Sequence, residues 1–132
     1  MNNLGFMQGR FSPLIREEIQ EFPFDNWENE FPLAKKLNFS CIEWVIDYPD
    51  LKLNPLLIEE YKEKILFLSS KYDISIPSIT LDCCMQRPFW KEKNKGIFES
   101  LISDLKLIID SANGINVEIL VIPLVDNGSI DN

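Results

Sequence analysis

Five polar residues lie within or directly after short apolar segments of this 132-residue chain, where strand ends would present them to a ligand. They are Gln8, Arg10, Glu43, Asp82 and Asp126. A guanidinium presents a planar fork to a phosphate or carboxylate, and carboxylates can accept and return protons. If the fold brings these residues together, they form a site for a polar or anionic small molecule.

Each residue also has a purely structural explanation. Arg10 fits a surface turn, and Glu43 fits the solvated end of an edge strand, although a carboxylate buried in an apolar strand needs a partner. Asp82 fits a helix or turn cap, and Asp126 fits a polar turn near a chain end. Asp47, just beyond the second apolar segment, is interpreted as an ordinary loop acid.

Several other kinds of site are not favoured by the composition. The chain contains no histidine and three cysteines, Cys41, Cys83 and Cys84, without a CxxC pair. A structural zinc site, a disulfide framework and a Cys-His nucleophile are therefore not predicted. Neither of the glycine-rich phosphate-binding motifs, GxGxxG and GxxxxGK[ST], occurs.

The charge and hydropathy patterns limit the partners. Thirteen basic and 21 acidic residues give a net charge of −8, which argues against nucleic acid or an anionic membrane as the main partner. The first residues, MNNLGFMQGRF, do not resemble a signal peptide, and no apolar run approaches the ~20 residues of a membrane span. Together with cysteines that suggest no disulfide, these features predict a cytoplasmic protein of one domain.

Short apolar segments and longer amphipathic ones alternate along the chain. Four segments rich in β-branched or aromatic residues are predicted strands, at residues 4–7, 39–46, 74–81 and 117–123. Three segments with apolar residues at helical spacing are predicted helices, at residues 27–37, 55–72 and 95–113. Asn54 followed by Pro55 marks the start of the second helix, and Pro77 is an irregularity within the third strand.

The resulting order, β-α-β-α-β-α-β, predicts a parallel sheet with right-handed crossovers. Two architectures fit: the first half of a (β/α)₈ barrel, and a small open doubly wound sheet. Both place function at the carboxyl ends of the strands. The five candidate residues would then converge on one rim.

Four segments of the chain resemble successive blocks of the sugar phosphate isomerase/epimerase family, which has the xylose isomerase-like TIM barrel. They are LGFMQGRFSP, IQEFPFDNWENEFPLAKKLNFSCIEWVID, IPSITLDCCMQRPF and ILVIPLVDNGSI. The resemblance runs in the family's order over nearly all of the chain. Cys83 and Cys84 depart from the aromatic residues that are typical after the aspartate of the third block.

The resemblance implies an enzyme that transfers a proton next to the carbonyl of a sugar or sugar phosphate. A divalent cation of the Mn or Mg type would polarise the substrate oxygens, with carboxylates as base and acid. It implies substrate-side roles for Gln8, Arg10, Glu43, Asp82 and Asp126. The family's metal ligands and catalytic glutamates come from later strands, so no metal ligand is expected here.

Residues 1–132 are accordingly interpreted as the N-terminal half of a barrel, ending after the fourth strand. Such a half is expected to have an incomplete active site and two unpaired sheet edges. It could belong to a longer enzyme, pair with a separate second half, or self-associate. One alternative is a non-catalytic half-barrel that binds a ligand or a partner without turnover. A less favoured alternative is an open sheet of the receiver-like or nucleotide-binding kind.

Overall fold

The computed structural model describes residues 4–14, 17, 21–48 and 50–130. Strands and helices alternate along the chain as the sequence predicts, except that two helices and not one lie between the third and fourth strands. In order they are β1 (Gly5–Met7), α1 (Trp27–Lys36), β2 (Cys41–Ile46), α2 (Glu59–Tyr72), β3 (Ser75–Leu81), α3 (Asp82–Gln86), α4 (Lys95–Asn113) and β4 (Ile119–Val121). All strand pairs are parallel and the sheet order is β1-β2-β3-β4. The predicted α/β class with a parallel sheet is therefore confirmed.

Helix α2 begins later than the sequence predicts. Pro55–Leu57 form a separate 3₁₀ turn, and Ile58 is extended before the helix starts at Glu59. Asn54 does act as a cap, because its Oδ1 accepts a hydrogen bond from Leu56 N at 3.1 Å. Asn54-Pro55 thus correctly predicts the start of a helical segment, but that segment is the 3₁₀ turn and not α2.

Asn54 also ties this turn to the sheet. Its Oδ1 accepts from the indole Nε1 of Trp44 at 3.0 Å, and its Nδ2 donates to the carbonyl of Val45 at 3.0 Å. Asn54 and Trp44 are fully buried. One side chain therefore satisfies an indole donor, a strand carbonyl and a turn amide that would otherwise be buried without partners.

One face of the sheet carries the apolar core. Five strand side chains on this face are completely buried or nearly so: Ile42, Trp44, Ile46, Ile79 and Leu81. Helices α1, α2 and α4 contribute further members of the same cluster, among them Phe31, Ile65 and Ile108. The helices thereby leave the other sheet face for smaller and more polar side chains.

A β-bulge in β3 decides which residues share that other face. Cys41 pairs with Ser75, but Glu43 pairs with Ser78, so β3 holds one extra residue between these two pairs. Pro77 lies in the extra stretch, and a bulge is a position where the missing N–H of proline is tolerated. Because side chains alternate along a strand, the extra residue turns Ser78 and Thr80 to the face of Glu43.

The edge strands are short and partly exposed. Strands β1 and β4 have three residues each, and Ile119 and Val121 of β4 are exposed on the face away from the core. No helix within the described residues is long and apolar enough to cross a membrane.

Candidate functional site

Glu43 is the centre of a polar cluster on the sheet face away from the core. The hydroxyl of Ser78 donates to Glu43 Oε2 at 2.7 Å, and that of Thr80 donates to Oε1 at 2.5 Å. Each carboxylate oxygen therefore holds one hydroxyl and keeps a further acceptor position. The partners that a carboxylate inside an apolar strand requires are thus supplied by the neighbouring strand.

Asp82 lies beside this cluster at the carboxyl end of β3 and is nearly fully buried. Burial raises the pKa of its carboxyl above the usual value, and the negative charge of Glu43 raises it further, while Arg10 acts in the opposite direction. Glu43, Asp82 and Arg10 are therefore close enough to interact electrostatically. A carboxyl with a raised pKa, next to a carboxylate and a guanidinium, can exchange a proton with a ligand.

Gln8 is completely buried at the end of β1. Its backbone N–H donates to the carbonyl of Glu43 at 2.9 Å, and its Oε1 accepts from Val45 N at 3.3 Å. The side-chain Nε2 is buried and has no hydrogen-bond partner among the described residues. Since an unpaired buried donor is costly, this amide group indicates that an acceptor from a ligand or a water completes the site.

The turn that carries Arg10 is held by Glu30, a residue that the sequence reasoning did not single out. Glu30 lies in α1, is 1% exposed, and accepts hydrogen bonds from Gly9 N, Phe11 N and the Ser12 hydroxyl at 2.9–3.3 Å. Burial raises the pKa of Glu30 in spite of these donors. Nothing in its helical position signals this role, because the partners lie 18–21 residues away.

Asp47 is not the ordinary loop acid that the sequence predicts. It is 6% exposed, and its Oδ2 accepts a hydrogen bond from Phe22 N at 3.0 Å. Burial raises its pKa to about 6, with smaller contributions from the negative charges of Glu21, Asp82 and Asp50. The prediction failed because the segment that buries Asp47 lies 25 residues earlier in the chain.

Asp47 makes the stability of the fold depend on pH. Its carboxyl binds a proton more tightly in the folded chain than in the unfolded chain, whose ordinary value is 3.8. Stability from this group is therefore lost as the pH rises from about 4 to about 6. Asp47→Asn, which keeps an acceptor for Phe22 N, should raise the free energy of unfolding at pH 8 by about 1–2 kcal/mol.

Urea unfolding at pH 5 and pH 8 measures this effect. The difference in the free energy of unfolding between the two pH values should be smaller in the Asp47→Asn chain than in the wild-type chain. The exposed Asp73, exchanged for Asn in the same way, serves as the control and should leave the difference unchanged. An Asp47→Asn chain with the pH dependence of the wild type would contradict the assignment.

Asp126 takes no part in the hydrogen bonds described so far. Asp126 is exposed at the start of a 3₁₀ turn, Asp126–Gly128, and has a left-handed backbone with φ of 49°. Its proposed role at the rim stays a prediction.

Cys83 and Cys84 are buried in α3, and the contact of Cys83 with Cys84, together with burial, raises the pKa of the Cys83 thiol. A nucleophilic thiolate at Cys83 is correspondingly disfavoured.

Four of the five candidates, Gln8, Arg10, Glu43 and Asp82, are thus brought together: Gln8, Arg10 and Asp82 follow the carboxyl ends of β1 and β3, and Glu43 is the third of the six residues of β2. Sequence reasoning missed Ser78 and Thr80: their alternation with apolar residues places both on one face of β3, but their position beside Glu43 depends on the bulge. The described residues contain no group of three or more His, Cys, Asp or Glu placed to hold a metal ion.

No protein-family model matches the chain. No curated protein matches it either.

Proposed function

We propose that this chain is the substrate-side half of a (β/α)₈ barrel that acts on a sugar or sugar phosphate as an isomerase or epimerase in the cytoplasm. The observation that carries the proposal is the cluster of Glu43, Ser78, Thr80 and Asp82, with the unpaired amide of Gln8, which extends over the sheet face away from the core to the carboxyl ends of β1 and β3. Carboxylates and amides in this arrangement suit a ligand with several hydroxyl groups.

The strand order supports a barrel half over a doubly wound sheet. The strand order is sequential without reversal. Right-handed crossovers, the general rule for parallel strands, would then place every crossover helix on one face. Barrels are built in this way, whereas doubly wound sheets reverse their strand order. A second half-barrel, or a second copy of the chain, would pair with the exposed edges at β1 and β4.

In this proposal the residues of the chain bind, orient and exchange a proton with the substrate. The remaining acceptor positions of Glu43 receive substrate hydroxyls, and the Gln8 amide donates to a substrate oxygen. Asp82, whose pKa is raised by burial, is suited to take up and return a proton. Arg10 orients a carbonyl or phosphoryl oxygen. The free thiols of all three cysteines fit a reducing compartment.

The divalent cation implied by the family resemblance does not fit the described residues alone. They offer no group of three ligands. A cation would supply charge stabilisation at the substrate oxygens, but its ligands would have to come from another segment or chain. We therefore expect the chain to bind substrate without turning it over.

Ligand binding and turnover can be separated experimentally. Affinity for a panel of ketoses, aldoses and their phosphates is measured by calorimetry, and exchange of the proton next to the carbonyl is followed by NMR in D₂O with Mn²⁺ or Mg²⁺. The wild-type chain should bind at least one sugar without exchange. Glu43→Gln should weaken binding about tenfold, the loss expected for one charge-assisted hydrogen bond.

Asp73→Asn is the matched control, because it removes a carboxylate that is exposed at the amino end of the sheet. It should bind the ligand as the wild type does. Equal affinities for the Glu43→Gln and wild-type chains would contradict the proposed site. Proton exchange by the isolated chain would contradict only the view that its active site is incomplete.

A further inference from the structure

A second pocket, separate from the Glu43 cluster, lies between the loop after β3 and the loop after β4. Its volume is about 280 Å³. Seven residues line it: Gln86, Arg87, Pro88, Lys91, Glu92, Leu101 and Asn127. Two cationic side chains in one pocket stand out in a chain with a net charge of −8.

The arrangement of the two cations leaves donors for a ligand. The guanidinium of Arg87 lies over the ring of Tyr48, with 5.2 Å between Cζ and the ring centroid. This contact with the ring uses none of the guanidinium N–H groups in a hydrogen bond, so they are available to an oxyanion. Lys91 Nζ donates to the carbonyl of Asn127 at 2.8 Å, which uses one of its three protons.

The pocket is held in shape by the docking of the two loops. Asn127 Nδ2 donates to the carbonyls of Gln86 at 3.0 Å and Met85 at 3.4 Å, which fixes the β4 loop to the end of α3. Gly128 makes the close approach possible, because a Cβ there would lie 2.9 Å from Met85 Cα and 2.9 Å from the carbonyl oxygen of Pro123. The position of Lys91 is thereby set by the β4 loop before any ligand binds.

The one acidic residue that lines the pocket has a backbone partner. Glu92 Oε1 accepts a hydrogen bond from Asn94 N at 2.7 Å. Gln86 Oε1 accepts from Tyr48 N at 2.6 Å, which leaves the amide NH₂ of Gln86 as a donor. The lining charges therefore sum to +1, and the available polar groups are mainly donors.

We propose that the pocket between the β3 and β4 loops is an anion-binding site for a phosphate group, held by Arg87 and Lys91. Bidentate contacts from a guanidinium and a point charge from an ammonium are the usual means of holding a phosphate. The inference stands on the contacts of this pocket alone and does not depend on the ligand of Glu43.

Titration with inorganic phosphate, followed by calorimetry at constant ionic strength, tests the site. Saturable binding at a single site is expected, and Arg87→Gln and Lys91→Gln should each weaken it about fivefold or more. Lys93→Gln, an equal change of charge at an exposed lysine in the same loop, should change it less than about twofold. Thermal melts of all variants establish that each is folded, and Lys91→Gln leaves the Arg87–Tyr48 contact intact.

A parallel titration with glucose and glucose 6-phosphate separates the sources of the phosphate. Tighter binding of glucose 6-phosphate than of inorganic phosphate, with none by glucose and with a loss of affinity in Lys91→Gln, assigns the pocket to the phosphoryl group of a metabolite. Equal binding of the two phosphates assigns it to free phosphate. Binding that does not saturate, or that Lys93→Gln weakens as much as Lys91→Gln does, would overturn the proposal.

Discussion

Asn54→Ala is expected to lower the free energy of unfolding by about 3–5 kcal/mol, because a cap is lost and two buried groups lose their partners. The two groups are the indole N–H of Trp44 and the carbonyl of Val45, both hydrogen-bonded to the Asn54 side chain at 3.0 Å. The third loss is the hydrogen bond from Leu56 N. Urea unfolding followed by the fluorescence of the tryptophans measures the change.

Asn94→Ala is the matched control for this result. Asn94 caps α4 through a hydrogen bond from Ile97 N at 3.1 Å, but the interaction is exposed to solvent. Its loss should cost only about 1 kcal/mol, as is usual for an N-cap. Similar costs for the two variants would show that Asn54 acts as a cap alone, and would contradict its role as a link between turn and sheet.

Glu30→Ala is expected to destabilise the fold by about 3 kcal/mol or more and to weaken ligand binding at Arg10 as well. The substitution leaves the amides of Gly9 and Phe11 and the hydroxyl of Ser12 without their acceptor. Since this turn carries Arg10, its release should shift the guanidinium relative to Asp82. Urea unfolding gives the first effect, and sugar binding at a temperature where the variant is folded gives the second.

Glu28→Ala provides the control on the same helix. Glu28 pairs with Lys64 at 2.5 Å, but both side chains are about half exposed. A surface ion pair of this kind contributes about 0–1 kcal/mol. The loss in free energy of unfolding should therefore be much larger for Glu30→Ala than for Glu28→Ala. An equally small loss for both variants would contradict the role of Glu30 in holding the Arg10 turn.

The order and class of the elements could be predicted because their signals are local. Apolar β-branched segments predict strands, and stripes at helical spacing predict α1, α2 and α4 within a few residues. Gln8, Arg10, Glu43 and Asp82 could be placed on one rim because parallel strands end at the same side of a sheet. Their type and position were sufficient for that step.

What could not be predicted depends on contacts between distant segments. The bulge at Pro77 turns Ser78 and Thr80 toward Glu43, and without it an alternating pattern would place Pro77 and Ile79 there. The burial of Glu30 and Asp47 depends on loops 18 to 25 residues away. The spacing of apolar residues along the sequence carries no information about contacts between segments so far apart.

The most direct test of the central claim, that a sugar binds at the carboxyl ends of the strands, is an NMR titration with fructose 6-phosphate. Saturable shifts are expected for the Gln8 side-chain amide and for the backbone amides of Gly9 and Asp82, because the unpaired Nε2 of Gln8 then gains an acceptor. Amides at the opposite end, such as those of Ser75 and Asn116, should not move. Saturable shifts confined to that opposite end, with the Gln8 side-chain amide unchanged, would contradict the account.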